Sequence, residues 1–149
     1  MIRLEPIGEK EFASCLPMIE SWCANHEKTK DSFMDGGLYN VRKVVIEERT
    51  DHGIEYLSII DDVPIGIVGH IEKEKSLDGV VLWLEPDRRC EHLLPQIFDA
   101  LADLARGRGK TSIKFTSKVW GKSPLLLGFK LEEILRDGDD AVYTWQRLT

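Results

Sequence analysis

Residues 84–110 read LEPDRRCEHLLPQIFDALADLARGRGK, and the fold turns on how they are parsed. The run from Gly79 to Glu85, GVVLWLE, reads as a strand, and Pro86 closes it because proline cannot donate to a ladder. A short charged turn follows. Leu93, Ile97, Leu101 and Leu104 then recur at helical spacing and form one apolar stripe, which predicts a helix over Leu94–Arg106. Gly107 and Gly109 end it, and Arg106, Arg108 and Lys110 suit its negative C-terminal end. The next run, SIKF at 112–115, is a strand. Strand, helix, strand predicts two adjacent parallel strands joined by a right-handed crossover. The turn before the helix has the layout of a phosphate-cradling loop, in which amides at a helix start point at an anion. It contains no glycine.

Outward from this unit the chain reads as hairpins. Upstream, EYLSIIDDVPIGIVGHIEKE (55–74) places two β-rich runs around the turn residues Asp61, Asp62, Val63 and Pro64. Downstream, SPLLLGF (123–129) is a short helix stopping at Gly128. KLEEILRD (130–137) and AVYTWQRL (141–148) then flank a Gly-Asp-Asp turn. At the N-terminus, Ile2 to Ile7 forms a strand broken by Pro6. Phe12, Leu16, Ile19 and Cys23 follow at helical spacing, with Trp22 beside them, and Pro17 inside that pattern predicts a kink or two short helices. ANHEKTKDSFMDGG (24–37) is a polar loop. Leu38, Val41, Val45 and Glu48 suggest a second helix, although VRKVVIEE (41–48) also suits a strand. The order β-α-α-β-β-β-α-β-α-β-β implies an α/β (α+β) domain with a mixed, mostly antiparallel sheet and helices on its faces.

The chain of 149 residues suits one domain, 1–149, with its own core. With 42% hydrophobic and 31% charged residues it has an ordinary globular balance, and a net charge of -6 argues against nucleic-acid backbone as the main partner. The opening MIRLEPIGEKEF carries charges where a signal peptide needs an apolar run, and stretches such as VVLWL are too short to span a bilayer. A cytoplasmic protein without a membrane partner is expected. Cys15, Cys23 and Cys90 show no paired metal spacing and read as reduced, buried thiols; the histidines show none either, so no metal is expected. Trp22, Trp83, Trp120 and Trp145 read as core.

Element order and turns together resemble the GNAT superfamily, the Gcn5-related N-acetyltransferases. The likeness runs over nearly the whole chain and is carried best by Asp61–Phe129. DDVPIG resembles the family's second-to-third strand turn. From Leu84 the sequence aligns without gaps to its cofactor motif, with Arg89 where the family has Gln or Arg, and LLLGF resembles the Gly-Phe ending its last helix. The resemblance implies a sheet of about 6–7 strands, with acyl-coenzyme A bound in the split between the fourth and fifth. Its pyrophosphate would be wrapped by the turn Arg89-Cys90-Glu91-His92-Leu93-Leu94, and Leu84, Glu85, Arg88 and Ser117 would complete the cofactor-binding set. His92 and Leu94 depart from the family's small residues. Pro95 removes one N–H, and Glu91 adds negative charge beside a phosphate. Both suit a helix start. Many family members place a tyrosine four residues before the Gly-Phe glycine as general acid; here that position is Pro124.

Two residues qualify as the base that takes the amine proton. Glu85 ends the fourth strand on the face of Val81 and Trp83; the plainer reading is a strand-end carboxylate in solvent. His70 shares a face with Gly66 and Val68 and is equally readable as a satisfied, partly buried histidine. His92 sits in the altered turn. Two functions compete. One is an N-acyltransferase carrying an acetyl or acyl group from acetyl-CoA or another acyl-CoA to a primary amine on a small molecule or protein. The other is a catalytically degenerate GNAT-fold binding or structural protein, such as a phage-encoded assembly protein, that does not use coenzyme A. A homodimer or larger assembly is compatible with either.

Overall fold

The computed structural model describes residues 2–6, 11, 13–21, 54–58, 64–88, 92–117 and 123–149. Among the described residues seven strands occur: β1 Arg3–Pro6, β2 Ile54–Ser58, β3 Pro64–Glu72, β4 Ser76–Leu84, β5 Ser112–Ser117, β6 Lys130–Asp137 and β7 Asp140–Leu148. Their order in one sheet is β1-β2-β3-β4-β5-β7-β6. The helices are α1 (13–21), α2 Leu93–Gly107 and α3 Ser123–Leu126, with a 3-10 turn at Pro86–Arg88. The pairs β1–β2, β2–β3, β5–β7 and β6–β7 are antiparallel, and β4–β5 is parallel, as the strand-helix-strand pattern requires. β4 starts at Ser76 rather than Gly79. Ser76 and Leu77 are buried, and the tight turn before them is closed by Lys73 N–H donating to Ser76 O at 2.9 Å.

Contacts divide the chain into two compact units, Met1–His70 with Val81–Arg89 and Ile71–Val80 with Cys90–Thr149. In the first, Ile65 to His70 are buried in an unbroken run, the pattern of a strand covered on both faces. Gly66 is required there. A Cβ at this position would lie 2.3 Å from the Trp83 carbonyl oxygen and 3.2 Å from Leu84 Cα. Helix α1 is helical straight through Pro17, so no break occurs at the proline. It buries Cys15, Met18 and Ile19, a face turned from the expected one; Leu16 is only half-buried, and Phe12, Trp22 and Cys23 lie outside the described residues. The stretch expected to form a second helix, 38–48, lies outside them too.

In the second unit α2 buries Ile97, Phe98, Leu101, Ala102 and Ala105. Leu93 and Leu104, read as part of the stripe, are half-buried at its margin. Phe98 and Phe115 each meet the buried Phe129 edge-on, at 5.3 and 4.9 Å between ring centroids, and Phe115 stacks near Trp145 at 6.5 Å. Arg147 joins three elements, donating to Asp99 Oδ1 at 2.6 Å on α2 and to Leu127 O at 3.2 Å after α3. Lys110 Nζ donates to Lys73 O at 2.7 Å and Thr111 N–H to Lys75 O at 2.8 Å, so the turn after α2 clamps the turn between β3 and β4. Trp83 and Trp145 are buried as expected; Trp120 is outside the described residues.

Candidate active site

The parallel ladder between β4 and β5 is only two residues long, Ser76↔Ser112 and Leu77↔Ile113. Both strands continue, and β5 stays paired with β7 as far as Ser117↔Tyr143. The last pair, at Leu77, lies two residues before Gly79, which takes φ +59 inside β4, a left-handed conformation that breaks regular pleating.

Glu85 follows β4 directly and is half-buried. Its backbone N–H donates to Ile65 O at 3.0 Å, so that amide is committed to β3 and does not serve as an oxyanion donor. Trp83 Nε1 donates to Glu85 Oε1 at 3.2 Å, which holds the carboxylate at the edge of the indole. Leu84 is buried beside Gly66. His70 is buried in β3, five positions along from Ile65, which places it roughly 17 Å from Glu85's neighbour at about 3.3 Å per residue. The two candidate bases are therefore alternatives rather than a pair acting on one atom.

Arg88 ends the 3-10 turn; Arg89, Cys90 and Glu91 lie outside the described residues. Helix α2 starts at Leu93 with His92 as N-cap, in α conformation and making no side-chain capping bond, and its first turn holds no acidic residue. His92 is exposed, Leu93 and Leu94 are half-buried, and Gln96 Nε2 donates to His92 O at 3.0 Å. A helix start normally satisfies its free amides with a Ser, Thr, Asp or Asn cap; this one does not use its N-cap side chain. Pro95 stands in the first turn, where the missing N–H has no intrahelical acceptor. Arg106 pairs with Asp103 at 2.7 Å at the opposite end of α2, away from the helix start.

Ser117 ends β5, half-buried, and its Oγ accepts a hydrogen bond from Trp145 Nε1 at 3.1 Å. Sequence reading missed its cross-strand partner. Tyr143 sits opposite Ser117 in the β5–β7 register, so the two share a face. Only the closing hairpin, through its two-residue turn and register, could have revealed that neighbour. Pro124 lies in the first turn of α3, the position that the resemblance gives to a tyrosine.

No family model and no curated protein sequence matches the chain. Solved structures do. The spermidine N-acetyltransferase of Vibrio cholerae, in complex with CoA and spermine, is 15% identical over 99% of this chain and 95% of that one, with a TM-score of 0.72. The aminoglycoside acetyltransferase AAC(6')-Ib, with coenzyme A and kanamycin, is 13% identical over 99% and 95%, with a TM-score of 0.72. RimL, a ribosomal L7/L12 alpha-N-protein acetyltransferase, with coenzyme A, is 13% identical over 99% and 93%, also at 0.72. The chain has the GNAT fold. No helix among the described residues is long and apolar enough to cross a membrane, and no cluster of three or more metal-ligating side chains occurs among them.

Proposed function

We propose that residues 1–149 act as a single GNAT-type domain in the cytoplasm, an N-acyltransferase that moves an acetyl or acyl group from acyl-coenzyme A to a primary amine. The observation that carries the reading is the start of α2. Within a GNAT fold, this helix holds no carboxylate in its first turn, and the positive end of a helix favours an anion. Arg88, Arg89, Cys90, His92, Leu93 and Leu94 would hold the pyrophosphate, and Leu84, Glu85 and Ser117 would flank the thioester arm. The residues fit the group less fully than a glycine turn would, because Leu94 adds bulk and Pro95 lacks an N–H.

When bound, acyl-coenzyme A supplies a thioester carbonyl open to attack by a neutral amine. The chain's own task is to position that amine and manage its proton. Glu85 is the proposed base: its carboxylate, held by Trp83 at 3.2 Å, takes the proton that the nitrogen sheds as the new amide bond forms and the C–S bond breaks. With Pro124 unable to donate, Tyr143 beside Ser117 is the phenol proposed to return a proton to the departing thiolate. The spermine- and aminoglycoside-bound neighbours support a small-molecule amine as acceptor, and the net charge of -6 favours a cationic one.

Leu94 and Pro95 together also favour a second reading, a fold retained for binding or assembly without coenzyme A. Calorimetry with acetyl-coenzyme A, followed by a thiol-release assay with spermine and with an N-terminal peptide amine, separates the two. Saturable binding with amine-dependent thioester cleavage supports the enzyme. Absence of binding at millimolar acetyl-coenzyme A refutes it.

A further inference from the structure

Within the second unit, one polar contact has no task in the proposed reaction: Trp145 Nε1 donates to Ser117 Oγ at 3.1 Å. Trp145 is fully buried in β7, between Phe115 of β5 and Leu131 of β6. Ser117 stands two positions beyond Phe115, so it lies on the same sheet face, diagonal to Trp145 and opposite Tyr143. The indole is held from behind. Phe115 stacks near it at 6.5 Å between centroids and meets Phe129 edge-on at 4.9 Å, and Phe129 meets Phe98 of α2 at 5.3 Å. Core packing therefore sets the direction of the indole N–H.

That donor constrains the hydroxyl. A serine hydroxyl has one proton and two acceptor positions, and an indole N–H only donates. With the N–H on one acceptor position, the Ser117 proton points away from Trp145. Accepting a hydrogen bond also polarises the O–H and makes it a stronger donor. A buried indole needs an acceptor, and a backbone carbonyl would suffice; a hydroxyl supplies a donor as well. Ser117 is half-buried at the last position of β5. Beyond Ile113, β5 pairs only with β7 among the described residues, so no ladder fills the other edge of the strand beside Ser117.

We propose that Trp145 is a positioning residue for thioester cleavage: its indole N–H orients Ser117, whose hydroxyl donates a hydrogen bond to the coenzyme A sulfur as it leaves. This rests on the N-acyltransferase reading above. As the amine nitrogen bonds to the acyl carbon, the C–S bond breaks and its electron pair goes to sulfur. Ser117 keeps its proton and stabilises the thiolate through the hydrogen bond, and Tyr143 supplies the proton that makes the free thiol. The high pKa of a serine hydroxyl suits it to donating a hydrogen bond and not to giving up the proton.

Thiol release from acetyl-coenzyme A with spermine, beside calorimetry with acetyl-coenzyme A, tests this. Ser117→Ala should lower kcat about tenfold or more, the worth of a hydrogen bond to a charged group, with affinity unchanged. Ser117→Thr keeps a hydroxyl and should retain most of the native kcat. Trp145→Phe keeps a ring beside Phe115 but removes the N–H, and should lower kcat in the same way. Because Trp145 acts through Ser117, combining Trp145→Phe with Ser117→Ala should cost no more than Ser117→Ala alone, whereas independent roles multiply. Native kcat in Ser117→Ala, or losses that multiply, overturns the proposal while the native chain's turnover keeps the acyltransferase reading intact. A native chain that binds no acetyl-coenzyme A defeats that reading, and the proposal with it. If circular dichroism shows Trp145→Phe unfolded, the indole ¹H–¹⁵N signals of the four tryptophans decide. In Ser117→Ala one signal should shift and kcat should fall, and Ser117→Thr should restore both. A shift without loss of turnover, or a loss that threonine does not restore, overturns the proposal.

Discussion

Replacing Gly66 with alanine should be the most damaging small substitution in the first unit. The added Cβ would lie 2.3 Å from the Trp83 carbonyl oxygen, 2.8 Å from Leu84 Cδ2 and 3.2 Å from Leu84 Cα. Leu84 Cδ2 can swing aside, but the other two atoms are backbone, so β3 and β4 must separate locally. Overpacking of this kind costs about 1–3 kcal/mol. The separation also strains the bond from Glu85 N–H to Ile65 O, 3.0 Å in the native chain, whose loss adds about 1 kcal/mol. The sum, about 2–4 kcal/mol, lowers Tm by roughly 5–15 °C for a domain of this size. Thermal and urea denaturation measure it, with Gly107→Ala as control. A Cβ at Gly107 meets nothing within 4 Å, and alanine suits a helix better, so that variant should be neutral or slightly more stable. If Gly66→Ala stays within about 0.5 kcal/mol of native, the range expected of an innocuous surface change, the close approach of β3 to β4 is wrong. Because Glu85 hangs from the same contact, turnover should fall in Gly66→Ala even at temperatures where it remains folded.

Glu85→Gln should lower kcat by roughly 10²-fold or more, the usual worth of a general base, while leaving acetyl-coenzyme A affinity unchanged; equal turnover would shift the role to His70. Tyr143→Phe should reduce kcat while leaving acetyl-coenzyme A affinity unchanged, whereas a packing role would move stability and not kcat. Arg89→Ala should weaken acetyl-coenzyme A binding roughly tenfold or more, since a hydrogen bond to a charged group contributes about 1.5–3 kcal/mol. Restoring glycine at His92 and Leu94 should change binding only modestly if the native turn is in use, and binding gained only in that double variant would mark the native site as closed. Burial pushes the Cys15 thiol above its ordinary value, opposed by a hydrogen bond with Ser14 and reinforced by the Glu11 carboxylate. The folded chain thus keeps this proton where the unfolded chain loses it. Stability should fall as pH rises above about 8.5, the unfolded thiol's pKa, toward the raised folded value. Cys15→Ala should lack that component in urea titrations across the range.

Much of the fold was legible before any coordinates, because local chemistry and tertiary structure agree there. Pro86 stops β4, the leucines of α2 mark one face, and Gly128 and Gly138 sit at positive φ where turns were expected. The failures share a cause. Sequence alone starts β4 at Gly79, yet a turn closed on Ser76 O places buried Ser76 and Leu77 beside β5's first residues. The α1 face was read around Leu16, while the buried residues are Cys15, Met18 and Ile19. Periodicity identifies that a helix has an apolar side; which side is buried depends on what packs against it.

The candidate site divides in the same way. Sequence alone determined the residue types available: a carboxylate after β4, arginines and a histidine before α2, and no tyrosine at Pro124. These follow from chain order, since a strand-turn-helix places its own loop at the helix start. Tertiary structure alone decided that Glu85's amide is spent on Ile65 and its carboxylate held by Trp83, and that Glu85 and His70 are too far apart along β3 to act together. It also decided that Tyr143 stands opposite Ser117, and that the β4–β5 ladder ends at Leu77↔Ile113. Each depends on strand register, and register is set by pairing between residues distant in sequence, which no local pattern encodes.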